Sequence, residues 1–144
     1  MNTEPVVVGV DGGPDSRQAL KWAADYARTA GAPLVALTVY DMPVVYGPYA
    51  MAGFESSESL EKGAREMLAE TVQETLGEDA SVDQRVLRGH AAKALVDLSA
   101  EAGLVVVGSR GMGGFKGMLL GSVSQHVVSH AHCPVVVLPR LGDK

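Results

Sequence analysis

The sequence predicts an α/β fold: a single-domain three-layer αβα sandwich around a five-stranded parallel sheet. Three observations predict it. Strand-like and helix-like runs alternate along the whole chain in the order βαβαβαβαβ, the signature of a parallel sheet covered by helices on both faces. The first strand run, Val6-Val7-Val8, is continuous and β-branched, as in strands buried on both sides. Nearer the C-terminus another apolar run, Val105-Val106-Val107, enters a glycine-rich loop that ends in Gly121-Ser122-Val123-Ser124, at the start of an apolar helical segment.

Each element has a local reason. Pro5–Asp11 reads as the first strand, and Gly12-Gly13-Pro14-Asp15-Ser16 as a turn into a helix. Over Ala19–Ala30 the residues Leu20, Ala23, Ala24, Ala27 and Ala30 recur at helical spacing until Gly31-Ala32-Pro33 stops them. Leu34–Tyr40 is the second strand. Asp41–Ser57 carries Pro43, Gly47, Pro48 and Gly53 and reads as a long irregular segment. Leu60–Leu76 bears an apolar stripe through Ala64, Met67, Leu68, Thr71 and Val72, closed by Gly77. Ser81–Leu87 is a third strand of weaker pattern. Ala91–Ala102 is helical through Ala94, Leu95 and Leu98, closed by Gly103. Leu104–Val107 is the fourth strand, Gly121–Ala131 the last helix and Val135–Leu138 the fifth strand. No repeat, low-complexity tract or second domain interrupts residues 1–144.

Bulk properties exclude several function classes. The 144 residues suffice for one full core, and 47% are hydrophobic, which excludes a disordered chain. A net charge of −5 with no Lys/Arg cluster argues against a nucleic-acid surface. The start, Met1-Asn2-Thr3-Glu4-Pro5, lacks the basic region of a secretory signal. No apolar run approaches the roughly 20 residues of a membrane span. The single cysteine, Cys133, rules out an internal disulfide framework. The location expected from these features is the cytoplasm.

The glycine loop carries the chemistry. In open α/β sheets ligands sit beyond the carboxyl ends of the strands, and both this loop and Asp11 follow strands. Phosphate oxygens need backbone N–H donors at close approach, which side chains obstruct. Gly121 and Ser122 then open a helix, whose unpaired N–H groups and dipole favour an anion. Ser122 and Ser124 offer hydroxyls, Arg110 and Lys116 offer charge. The loop is not a Walker A sequence, since no Gly-x4-Gly-Lys-Ser/Thr occurs. A plain structural turn is the alternative for the glycines, and a capping or turn role is the alternative for Asp11.

The spacing Gly108-x2-Gly111-x9-Gly121-Ser122 resembles the phosphate signature of ATP-binding universal stress proteins. Further pieces carry the likeness over nearly the whole chain: Val-Val-Val-Gly-Val-Asp-Gly at 6–12, the helix start from Ser16 to Ala23, Val39-Tyr40, Gly89-His90-Ala91-Ala92, Val107-Gly108-Ser109-Arg110-Gly111, Gly121-Ser122-Val123-Ser124 and His132-Cys133-Pro134-Val135-Val136-Val137. The resemblance implies a Rossmann-like, adenine nucleotide alpha hydrolase-like fold of strand order 3-2-1-4-5. It also implies an ATP site. Asp11 would contact the adenosine, backbone groups of Val39 would read adenine, and Gly9, Val10 and Val107 would line the pocket. Gly108, Arg110, Gly111, Gly121, Ser122, Val123 and Ser124 would hold the phosphates, bridged by a divalent cation, Mg2+. Arg110 stands where family members vary.

In that strand order Val135–Leu138 lies at the sheet edge. An apolar edge is an aggregation hazard unless covered, and a second copy pairing through it, as in the similar family dimers, would cover it. The alternative cover is the short tail Pro139–Lys144. Asp41–Ser57, with Met42, Tyr46, Tyr49 and Phe54, reads either as a flap on the ligand side or as a surface loop.

Other signals point less far. His126, His130, His132 and Cys133 lie close in sequence, but no distant Cys or His pair completes a zinc pattern, so no metal is expected from the protein's own ligands. Cys133, before a proline and an apolar strand, reads as a small buried residue. No Gly-x-Ser-x-Gly elbow or acid–His pair accompanies Ser109, Ser122 or Ser124, so no catalytic residue is expected. The residues support a nucleotide-responsive regulatory or protective module. A nucleotide hydrolase or adenylyl-transfer enzyme on the same fold, and an interaction module without nucleotide, are the competing readings.

Overall fold

The computed structural model describes residues 4–41, 57–109 and 121–139. Five strands alternate with four helices: β1 (Val6–Gly9), α1 (Pro14–Ala30), β2 (Leu34–Tyr40), α2 (Ser57–Leu76), β3 (Asp83–Arg88), α3 (Ala91–Ser99), β4 (Leu104–Gly108), α4 (Ser122–His130) and β5 (Val135–Leu138). All strand pairs are parallel, in the order β3-β2-β1-β4-β5. The register aligns Val6 with both Leu34 and Leu104, and Val105 with Val135.

Strand periodicity builds two cores. Successive side chains on a strand point to opposite faces. Val6 and Val8 of β1 and Val106 of β4 therefore pack with Ala19, Leu20 and Ala23 of α1 and Leu68 and Val72 of α2. Val7, Val105 and Val107 pack on the other face with Leu95 of α3 and Val127 of α4. The three layers expected from the alternation of elements follow from this division.

Helix ends differ from expectation in informative ways. α1 begins at Pro14, five residues before the apolar stripe, with Gly13 as N-cap. Proline's fixed φ and missing N–H suit the first helical position, so the apparent turn is the helix's first coil. Its other end is closed by Gly31 in the left-handed conformation (φ 68°), whose N–H reaches back to the last turn. α3 stops at Ser99, and the chain leaves it by tighter bonds from the N–H groups of Ala100 and Glu101 to the Asp97 and Leu98 carbonyls.

The sheet's two edges have opposite character. β3 is mostly exposed, carries Arg85 paired with Asp83, and shows Leu87 41% accessible. β5 is Val-Val-Val-Leu, with three half-buried valines and a buried leucine. Charged groups protect the first edge against unwanted strand addition, and the second lacks them.

Candidate functional site

A cleft opens at the carboxyl ends of β1, β2 and β4. It is lined by Gly9, Val10, Asp11, Ser16, Leu37, Val39, Ala91, Leu95, Val107, Gly108, Val123 and Ser124. Eight of the residues singled out in the sequence are therefore brought together: Gly9, Val10, Asp11, Val39, Val107, Gly108, Val123 and Ser124. Gly121 and Ser122 stand immediately before them at the start of α4. Arg110 and Gly111, with Lys116, lie outside the described residues, as does nearly all of the Asp41–Ser57 segment. The described part of the cleft encloses about 110 Å3. Complete small-molecule sites run to several hundred Å3, so this is room for a portion of a nucleotide.

The floor is apolar and comes from strand alternation. Leu37 and Val39 are two apart on β2 and share a face. β1 ends at Gly9 opposite Leu37, so Val39 extends past the end of β1 while keeping Leu87 of β3 as its sheet partner. Leu95 of α3 covers Gly9 so closely that a Cβ there would lie 3.3 Å from its Cδ1. The sequence reading did not place Leu37, Ser16, Ala91 or Leu95 in the site. The first carried a signal, its spacing of two from Val39.

The β1–α1 turn is held by its own hydrogen bonds. The Gly13 N–H donates to Asp11 Oδ1 at 2.9 Å, the Ser16 hydroxyl donates to the Gly13 carbonyl at 3.0 Å, and the Asp11 N–H reaches Ser16 Oγ at 3.3 Å. Asp11 thus fills the turn role that competed with a ligand role, while its exposed side chain still lines the cleft. Gly12, at φ 86°, makes the turn possible, since side-chain-bearing residues rarely adopt that conformation. Val10 has both backbone groups engaged: its N–H donates to the Leu37 carbonyl, and its carbonyl accepts from the Thr38 hydroxyl at 3.0 Å.

Gly108 has a reason the sequence did not disclose. A Cβ at this position would stand 2.9 Å from Asp15 Cβ and 3.2 Å from the Asp15 backbone carbonyl. The end of β4 lies against the first turn of α1, and only a glycine allows it.

The start of α4 is fastened to the end of β4. The Ser109 carbonyl accepts from the Gly121 N–H and from the Ser124 hydroxyl, each at 2.6 Å. Ser124 is buried and its hydroxyl proton is directed to the protein, whereas Ser122 is exposed. Gly121, as N-cap, lies in extended backbone (φ −75°, ψ 171°) and supplies no side-chain cap bond. A side-chain oxygen at the N-cap normally accepts from the first-turn N–H groups. Here that acceptor is missing where the helix start faces the cleft, and the local dipole is positive. The N-caps of α1 and α3, Gly13 and His90, likewise make no side-chain cap bond.

The mouth on the α3 side carries one loose pair: His90 Nδ1 lies 3.7 Å from Asp41 Oδ2, both largely exposed. The adjoining Gly89 (φ 139°) donates its N–H to the Tyr40 carbonyl and ties this corner to β2. Among the described residues no cluster of three or more His, Cys, Asp or Glu forms a metal-ligand group, and no helix is long and apolar enough to cross a membrane.

Comparisons with known proteins bear on the family and the fold. The sequence model described as the Universal stress protein family matches residues 2–139. A universal stress protein of Mycolicibacterium smegmatis is 43% identical over 144 residues, covering 94% of this chain and 46% of the relative. The chain spans about half the length of the curated relatives it matches. A solved universal stress protein in complex with cAMP superposes with a TM-score of 0.68 at 27% identity, covering 95% of this chain and 97% of the other. The universal stress protein of Archaeoglobus fulgidus in complex with dAMP superposes with a TM-score of 0.67 at 26% identity, covering 95% and 98%.

Proposed function

The chain belongs to the universal stress protein family, and on that premise we propose that it is an adenine-nucleotide-binding member acting as a nucleotide-responsive regulatory or protective module in the cytoplasm. The observation that carries the reading is the cap-free start of α4 at Gly121, opening onto the cleft beside an apolar floor of Leu37, Val39, Leu95 and Val107. A purine ring suits the floor, and an anion suits the helix start. Two solved relatives hold adenine nucleotides, one cAMP and one dAMP.

In this reading ATP is the ligand. Val39 backbone groups read adenine and Asp11 faces the ribose. The N–H groups of Ser122, Val123 and Ser124 meet the phosphates together with Gly108, Arg110 and Gly111. A bound Mg2+ would supply charge neutralisation of the phosphates, and among the described residues lining the cleft Asp11 is the carboxylate that would hold it. In this reading the cleft residues bind the nucleotide, and no catalytic role is assigned to any of them. Two copies pair through β5, whose apolar edge lacks the charges that guard β3.

Native mass spectrometry of freshly purified protein tests ligand and assembly together. The expected result is a dimer carrying adenine nucleotide, with micromolar affinity for ATP by calorimetry. Absence of binding to ATP, ADP, AMP and cyclic AMP at millimolar concentration would sink the nucleotide reading and leave an interaction module. Steady release of AMP or pyrophosphate would move the protein to the hydrolase or adenylyl-transfer reading. A monomer by light scattering at micromolar concentration would remove the β5 pairing.

A further inference from the structure

The outer face of α4 bears two imidazoles one helical turn apart. The His126 and His130 rings stack with centroids 4.3 Å apart and planes inclined by 21°. Both residues are exposed. His130 Nδ1 lies 3.0 Å from the His126 carbonyl oxygen. A carbonyl can only accept, so Nδ1 carries the hydrogen and, in the neutral ring, the lone pair sits on Nε2. A backbone bond that fixes the tautomer in this way is what metal-ligating histidines commonly have behind them. We propose that His126 and His130 form a two-imidazole site for a divalent transition-metal ion, with water completing the coordination.

Three physical points favour it. Histidines at i and i+4 share one helix face, the arrangement used where a helix contributes two imidazoles to a metal. Both side chains are exposed, so the rings can turn out of the stack and direct one nitrogen lone pair each at a single ion, about 2.0–2.1 Å away. His130 also stands in the last turn of α4, the negative end of its dipole, where a cation is favoured. The helix beneath is held firmly. Val127 is buried against α3, and just past the helix end the His132 N–H donates to Ser99 Oγ at 2.9 Å. The sequence pattern completes no closed four-ligand set. An open site needs two well-placed rings and solvent. Imidazole donors select Cu2+, Ni2+ and Zn2+ over Mg2+, with Cu2+ the tightest.

The site is independent of the nucleotide cleft, so its test does not depend on that reading. Untagged protein with Cys133→Ser, freed of metal by chelator, is titrated calorimetrically with CuCl2, NiCl2, ZnCl2 and MgCl2, and its melting is followed in parallel. The expected result is one equivalent of Cu2+ bound, weaker Ni2+ and Zn2+ binding, and no heat with Mg2+. His126→Ala and His130→Ala should each weaken Cu2+ binding at least tenfold and abolish the metal-dependent rise in Tm, while His132→Ala leaves both within twofold. Circular dichroism checks that the variants fold, and the exposed positions predict that they do. The proposal is overturned if the double variant binds Cu2+ as the parent does, or if His132→Ala matters as much as either member of the pair.

Discussion

Gly108 and Asp15 touch: a single carbon added to the glycine would lie 2.9 Å from Asp15 Cβ. The contact joins the end of β4 to the first turn of α1. It means that a residue in the nucleotide signature is held as glycine by helix packing, whatever else it does for a ligand.

Gly108→Ala should therefore destabilise the fold itself. Overpacking of this kind costs about 1–3 kcal/mol. Urea unfolding without nucleotide should show a lowered midpoint at unchanged slope. An unaltered midpoint would mean that α1 moves aside freely and that the close contact is unimportant.

Gly121→Asp should behave in the opposite sense. Gly121 has an extended backbone that any residue adopts, and it is the N-cap of α4. An aspartate there would cap the first-turn N–H groups, leaving stability unchanged or raised by a few tenths of a kcal/mol. The same carboxylate would occupy and repel the anion position, so ATP affinity should fall at least tenfold. Calorimetry beside denaturation separates the two effects. Equal affinity in parent and variant would remove the helix start from the phosphate site.

Ser124→Ala deletes the hydroxyl bond to Ser109. The Ser109 carbonyl keeps its second donor, the Gly121 N–H, so no buried acceptor is orphaned and the cost should stay near 1 kcal/mol. Nucleotide affinity should drop less than in Gly121→Asp, because the Ser124 proton already serves the protein. A larger loss in Ser124→Ala would show that the hydroxyl turns to the ligand on binding.

Cys133 should oppose alkaline conditions. Burial pushes its thiol above the ordinary value of 9.0, with a lowering hydrogen bond from the Val105 backbone and a raising influence from Glu4. The folded protein therefore favours the neutral thiol. Its contribution is full below the unfolded pKa and is lost as pH climbs through the higher folded one. Parent and Cys133→Ala should accordingly have stability profiles that converge or cross above about pH 9, with the parent falling more steeply. Alkylation by iodoacetamide at pH 8 should also be slower in the folded than in the urea-unfolded protein.

The fold was legible because its signals are local. Val6-Val7-Val8, the Leu20–Ala27 stripe and Val135–Leu138 each declare one element, and β5 has the bounds its residues predict. The start of α1 was misread because Gly12-Gly13-Pro14 is turn chemistry and helix-start chemistry at once. Strand-end position and resemblance point to Asp11, Val39, Val107 and Ser124, and these residues line the cleft. They do not point to Leu95 and Ala91, which reach the cleft from a helix distant in sequence. The partners of Gly108 and Ser124 were equally hidden: each touches a segment whose proximity exists only after folding.

The double bond-making of the Ser109 carbonyl has a further consequence. With Gly121 and Ser124 tethered to it, the end of β4 and the start of α4 are held together. The entropy of bringing loop ends together grows only with the logarithm of loop length, and here it is met by folding before any ligand arrives. The strand–helix junction therefore stands as a frame of its own, made by the protein's backbone and one hydroxyl rather than by a ligand.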